Sequence, residues 1–170
     1  MKKNLLLMAA LVCYLFAFTA CGGDDEPKVT TTATATYTIN FSQDLIDATS
    51  IVVYYKGDDG NVRFEPVTST TWVKTVTSKK FPAEFAFQIA YSPKDASSLT
   101  KDNYNLDVAA SIEGSLNTSG SFYFSRTLMS APTAKDKVIQ VLENHSGKDV
   151  MGYVVAKNGT ATAMTKVNLK

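Results

Sequence analysis

The chain is poor in the residues that usually carry chemistry. It has two cysteines, one histidine and one tryptophan in 170 residues. Both cysteines, Cys13 and Cys21, precede residue 22, so everything after them lacks a thiol. That excludes a disulfide framework, a thiolate nucleophile and a cysteine-based zinc site from residues 22–170, and leaves a buried core as the source of stability. A lone His145 cannot make a His–His metal site. A Ser–His–Asp arrangement with Ser146 or Asp149 is formally open, but no Gly-x-Ser-x-Gly elbow supports it. There is no phosphate-cradling glycine loop and no dinucleotide fingerprint. A charge excess of one sign is missing too: 17 basic residues face 16 acidic ones, which offers no electrostatic footprint for nucleic acid. The expectation from these absences is a protein that is not an enzyme and takes no cofactor or metal.

The carboxylates give the same answer. Of the sixteen, those that cluster in the sequence are Asp24-Asp25-Glu26, Asp44 with Asp47, and Asp58-Asp59. A glycosidase needs two carboxyls facing each other across a cleft, whereas these sit in tether-like and turn-like contexts. Asp58-Asp59-Gly60-Asn61 lacks the further acidic ligands of a calcium loop, and a hairpin turn accounts for it.

What is present begins at the first residue. Lys2 and Lys3 form a positive start, Leu5 to Phe18 is an uncharged apolar run, and Thr19-Ala20 places small residues before Cys21. A run of this length with these flanks is a secretory signal rather than a membrane span, which needs about 20 apolar residues. Phe18-Thr19-Ala20-Cys21 resembles the lipobox of bacterial lipoproteins, with Phe18 where leucine is commoner. The following Gly22-Gly23-Asp24-Asp25-Glu26 is similar to the acidic tract of surface-exposed lipoproteins of the Bacteroidota. The resemblance implies cleavage between Ala20 and Cys21, and a Cys21 that carries diacylglycerol and an N-acyl chain such as palmitate. It also implies a cell outer membrane location facing the surface, with the membrane as partner through that lipid. Each buried CH2 of such chains contributes about 0.8 kcal/mol to anchoring. Cleavage removes Lys2 and Lys3 and no acid, which leaves 15 basic and 16 acidic residues and a net charge of −1.

Three parts follow: a signal peptide over 1–20, a lipidated tether over 21–30, and one domain over 31–170, long enough to bury most of its apolar surface. Thr30 to Phe41 alternates with period two and predicts a strand with a threonine face outward. Ser50–Lys56 is a continuous apolar run. Gly57-Asp58-Asp59-Gly60 then turns the chain, and Val62 and Phe64 alternate with Arg63 and Glu65 on a return strand that Pro66 ends. Thr71–Thr77 is a short strand. Phe81 to Tyr91 places Phe81, Ala83, Phe85, Phe87, Ile89 and Tyr91 on one face, with Glu84, Ala86, Gln88 and Ala90 on the other. Tyr104 to Ile112 repeats the device, and Ser121–Thr127 is another strand. After Ala131-Pro132 the period shifts. Thr133 is a candidate cap for a helix within 134–146, with β-branched Val138, Ile139 and Val141 keeping a strand open. Val150–Ala156, Asn158-Gly159 and Thr160–Val167 predict a hairpin with a type I′ turn.

Eight or nine short strands with one helix predict a mainly β fold, an antiparallel immunoglobulin-like β-sandwich, with a closed barrel as the alternative. Phe81-Pro82-x-x-Phe85, Tyr91 and Tyr104-x-Leu106-x-Val108-x-Ala110-x-Ile112 resemble the strand pattern of small secretion-pilotin-like envelope lipoproteins. Those are β-sandwiches, and the resemblance implies the fold alone.

Three functions compete: a non-catalytic binding or accessory lipoprotein, a glycan-binding component of a nutrient-uptake system, and an adhesion or assembly subunit. Trp72 and Tyr123 are the candidate ligand-facing aromatics, because an aromatic face with a polar edge suits a sugar ring. Tyr123 must point away from its neighbours Phe122 and Phe124. The glycan reading requires coplanar exposed aromatics that include Trp72. The assembly reading requires an open edge strand, expected at Thr30–Thr36.

Overall fold

The computed structural model describes residues 30–118 and 120–170, of which 31–170 form one compact unit. The expected signal, the Ala20–Cys21 cleavage site, the lipid cysteine and the acidic tether all lie outside the described residues. Among the described residues nine strands form two antiparallel sheets, packed as a β-sandwich rather than closed into a barrel.

The strands are β1 (Ala33–Phe41), β2 (Thr49–Lys56), β3 (Val62–Val67), β4 (Thr71–Ser78), β5 (Ala83–Pro93), β6 (Asn103–Leu116), β7 (Ser121–Ala134), β8 (Asp149–Val155) and β9 (Ala161–Ala163). One sheet runs β4-β1-β6-β7 and the other β3-β2-β5-β8-β9. Helix α1 (Gln43–Ala48) joins β1 to β2, and α2 (Val138–His145) joins β7 to β8. β1 is central, paired to β4 and β6 along its length. The open edge expected at Thr30–Thr36 is therefore corrected from Ala33 onward, because both ladders of β1 are filled. The true edges are β4 and β7 in one sheet, β3 and β9 in the other.

The alternation seen in the sequence becomes the core. Tyr37, Ile39, Phe85, Phe87, Ile89, Leu106 and Ile112 are fully buried between the sheets. Tyr37 stacks on Trp72 at 6.4 Å and meets Tyr55 and Phe87 edge-on at 6.2 and 6.1 Å. Its hydroxyl donates to Lys56 O, and burial pushes its pKa upward, so it stays a donor. Burial of such side chains contributes about 1.5–3 kcal/mol each.

Four departures from the sequence expectation have physical reasons. First, β7 continues through Pro132 to Ala134, because Leu128 is an extra residue between the pairs Ala109–Thr127 and Val108–Met129. The bulge switches the inward residues from even (Phe122) to odd (Met129, Thr133), which mimics an end of the period. Second, Thr133 is a strand residue that donates to Ala131 O; Lys137 occupies the helix N-cap without a side-chain bond. Third, α1 is capped by Ser42, whose hydroxyl accepts Leu45 N–H, and six residues are too few to show a helical period. Fourth, the Asn158-Gly159 turn is not type I′. Gly159 has φ 87° but Asn158 does not share a positive φ, and Gly159 N–H bonds Ala156 O. Gly57–Asn61 uses the same device, with Gly60 at φ 78°.

The last expected strand is also shorter. Only Ala161–Ala163 pairs with β8, after which residues 164–170 cross the outer face of the five-stranded sheet. Met164 N–H bonds Gly152 O, and the Leu169 and Lys170 N–H groups both donate to Gln88 Oε1, at 2.7 and 3.0 Å. Gln88 Nε2 donates to Gly147 O at 2.6 Å. The small residues Ala86 and Gly152 lie beneath this strap, which is why the second face of β5 is buried as well.

Candidate functional site

The outer face of the four-stranded sheet is rich in hydroxyls, with Val73, 55% exposed, as an apolar residue among them. β1 presents Thr34 and Thr36 there. β4 adds Thr75 and Thr77, β6 adds Ser115 beside Glu113, and β7 adds Ser121 and Tyr123. Across β1 and β4 the threonines pair, Thr34 with Thr77 at 3.0 Å and Thr36 with Thr75 at 2.9 Å. Each such cross-strand pair contributes about 0.2–1 kcal/mol to the ladder. On the β1-β6-β7 side a groove of about 640 Å³ is lined by Thr34, Thr36, Glu113, Ser115, Ser121 and Tyr123. Gly114 forms part of its floor, where a Cβ would strike Thr34 O and the Phe122 ring.

Tyr123 is 64% exposed, on the face opposite the buried Phe122. Its ring stands beside neutral donors and acceptors and one carboxylate, Glu113. Such a surface suits a polar, uncharged ligand that offers hydrogen bonds and one apolar patch for the ring. The threonines of β1 were legible from the sequence; the face of Thr75 and Thr77 was not. Glu113, Ser115 and Ser121 were not, because the register that brings β6 and β7 beside β1 is set by tertiary pairing.

Trp72 is corrected as a ligand-facing residue. It is only 8% exposed and lies between Tyr37 and Tyr55, 5.4 Å from the latter. Its Nε1–H finds a partner inside, Glu65 Oε2 at 3.1 Å, so both its apolar body and its polar handle are satisfied. The same carboxylate accepts Tyr55 OH at 2.8 Å and the Lys74 ammonium. Lys74, then the Tyr55 and Trp72 donors, hold the Glu65 carboxyl below its ordinary range, and Glu65 in turn raises Lys74. This cluster closes the sandwich between β3 and β4. The coplanar exposed pair required by the glycan reading is absent at Trp72.

The structure does bring His145 and Asp149 together, Nδ1 to Oδ1 at 2.8 Å. Asp149 is buried, and its other oxygen accepts Tyr91 OH at 2.6 Å. Burial and the adjacent Asp149 carboxylate raise Tyr91. Ser146 is not a nucleophile in this arrangement. Its hydroxyl donates to Tyr91 O at 3.0 Å and accepts Tyr91 N–H at 2.9 Å. The group works as a polar pin that fixes the end of α2 to β5. Asp44 is likewise structural. Lys101 and the Asn105 N–H hold its carboxyl below the usual range and tie α1 to the start of β6. Among the described residues no group of three His, Cys, Asp or Glu could hold a metal ion, and no helix is long and apolar enough to cross a membrane.

No protein-family model, curated protein or solved structure matches the chain.

Proposed function

We propose that this chain is a lipid-anchored outer-membrane lipoprotein of the cell surface, and that it works as a non-catalytic binding or accessory module. The anchor is Cys21 in Phe18-Thr19-Ala20-Cys21, and the contact surface is the hydroxyl face around Tyr123. The observation that carries the contact surface is the large exposed ring of Tyr123 over the groove of about 640 Å³. A ring of that size beside hydroxyl donors and acceptors offers one ligand both an apolar patch and hydrogen bonds, and the fold makes no use of it: a small polar residue there would leave stability within about 0.5 kcal/mol.

Two experiments test the two halves. Cys21→Ser in the full chain should move the protein from the membrane fraction to the supernatant; retention in the membrane overturns the anchor. The detergent-extracted lipoprotein is then screened against immobilised neutral glycans and unfolded peptides. Any ligand retained should be lost with Tyr123→Ala, while the unfolding free energy stays within about 0.5 kcal/mol of the parent. Retention of the ligand by the Tyr123→Ala protein would move the site elsewhere.

A further inference from the structure

We infer that β3 is a self-association edge: two copies pair β3 to β3, antiparallel, about a two-fold axis at Phe64 and perpendicular to the sheet. The reasoning starts from an inversion in this strand. Its register with β2 places Arg63, Glu65 and Val67 opposite the inward residues Tyr55, Val53 and Ile51. Val62, Phe64 and Pro66 therefore face solvent. Phe64 is 68% and Val62 44% exposed, and Pro66 is exposed as well. Beside them stand half-buried Val52 and Tyr54, with the Tyr54 and Phe64 rings 5.9 Å apart. Exposed apolar side chains thus gather on the β2–β3 end of this face. Farther along, β5 is already buried, its Ala86 and Gln88 lying under residues 164–170.

The free ladder of β3 borders this patch, since among the described residues β3 pairs with β2 alone. Six residues with an unpaired edge form a template for another strand. The sequence of β3 selects a second copy as that strand. With the axis at Phe64, Phe64 lies opposite its own copy, Arg63 opposite the partner's Glu65 twice, and Val62 opposite the partner's Pro66 twice. Over residues 62–66 each charged residue then lies opposite one of the other sign and each apolar residue opposite an apolar one, Arg63 keeping its bond to Asp59 and Glu65 its bonds to Tyr55, Trp72 and Lys74; Val67 falls opposite Asn61, outside β3. An axis at Arg63 or at Glu65 would set like charges face to face, which is unfavourable across strands. Pro66 lacks an N–H and ends the ladder at each side. The result is an isologous contact that joins two five-stranded sheets into one of ten strands. It uses the edge of the five-stranded sheet and joins the two apolar patches side by side on one face; the Tyr123 face belongs to the other sheet, so ligand binding and pairing are separable.

The test uses single cysteines in the full chain, extracted in mild detergent and treated with a mild oxidant, with the parent chain as baseline. Directly opposed residues have Cα atoms about 4.5–5.5 Å apart, within disulfide reach, whereas residues four positions out of register are more than about 10 Å apart. Phe64→Cys should give a covalent dimer. Val62→Cys alone should stay at baseline, and an equal mixture of Val62→Cys and Pro66→Cys proteins should cross-link. Phe64→Asp, at an exposed site, should leave unfolding unchanged and raise the dimer dissociation constant at least tenfold by sedimentation. Equal cross-linking of Phe64→Cys and Val62→Cys overturns the register. A chain that is monomeric at about 100 μM overturns self-association, including one whose Phe64 instead engages lipid or another protein.

Discussion

The strap over the five-stranded sheet makes a sharp demand on Gly152. This residue lies within β8, opposite Ala86 of β5. A Cβ added there would lie 2.6 Å from Val167 Cγ2, 2.8 Å from Met164 Sδ and 3.1 Å from Ala86 Cβ. Ordinary carbon contacts are about 3.5–4.0 Å, so Val167 must retreat by about 1 Å. It is not free to do so easily. The strap is fastened on one side by Met164 N–H to Gly152 O and on the other by Leu169 and Lys170 N–H to Gln88. Overpacking of this kind costs about 1–3 kcal/mol. Without the strap only the 3.1 Å approach to Ala86 Cβ remains, and the preference of about 0.5–1 kcal/mol for alanine over glycine in a strand interior offsets or exceeds it. Gly152→Ala should therefore lower the urea midpoint of the full chain and leave unchanged, or raise, that of a chain ending at Ala163. A coupling of about 2 kcal/mol between the substitution and the truncation is the expected result of the cycle. Limited proteolysis of the Gly152→Ala chain should also release residues from the C-terminal end first. Equal effects of Gly152→Ala in both backgrounds would refute the packing of residues 164–170 on this sheet.

Other substitutions probe the rest of the frame. Phe85→Ala empties a fully packed site against Phe122, 5.8 Å away, and should cost about 3–5 kcal/mol in denaturant unfolding. A loss below about 1 kcal/mol would mean that this face of β5 is not core. Tyr91→Phe leaves Oδ2 of buried Asp149 without its hydroxyl donor, an expected loss of about 1.5–3 kcal/mol by the same measurement. Glu65 has a carboxyl depressed by Lys74, Tyr55 and Trp72. Its contribution is present above the unfolded carboxyl pKa of about 4.3 and is lost as pH falls through the lower folded value. Lys74 is raised, so its share is present below about pH 10.4 and lost above that. Glu65→Gln should therefore shrink the difference in stability between pH 7 and pH 3 by about 1 kcal/mol or less, because the pair is partly in water. An unchanged acid limb would show that the cluster adds nothing.

Much of the sandwich was legible because period two survives wherever one face of a strand is buried. β5 and β6 announce themselves through Phe85, Phe87 and Ile89, and through Leu106, Val108 and Ile112, all buried as the alternation requires. Reading failed where a local event broke the period. The extra residue Leu128 reversed the parity of β7, so its second half looked like the approach to a helix. Failure also came where burial was decided by distant chain. Ala86 and Gln88 sit on the polar side of the pattern, yet they are buried by residues some 80 positions later. Trp72 shows a third limit. Trp72 and Val73 are adjacent, so one of them had to face out, and only the register with Ile39 settles that the larger goes in.

The two open sides of the sandwich are closed by opposite means, and that contrast accounts for the inverted strand. Between β7 and β8 the closure is apolar: Phe124 stacks on Tyr153 with ring centroids 3.6 Å apart. Between β3 and β4 three polar tips converge, those of Tyr55, Trp72 and Lys74. A valine or phenylalanine at position 65 would leave the Trp72 and Tyr55 donors without this acceptor in a partly buried place, a loss of about 1–3 kcal/mol each. A carboxylate satisfies all three at once, so Glu65 has to face inward. Because side chains alternate strictly along a strand, fixing Glu65 inward fixes Phe64 and Pro66 outward. Position 64 could then have been polar at little energetic expense, as solvent-facing strand residues usually are. A phenylalanine at 68% exposure, beside Tyr54 and Pro66 on an unpaired edge, is thus unexplained by the closure that turned it outward. On the proposed β3–β3 pairing this ring gains an aromatic neighbour across the strand, its own copy, on the one face that the two sheets then share.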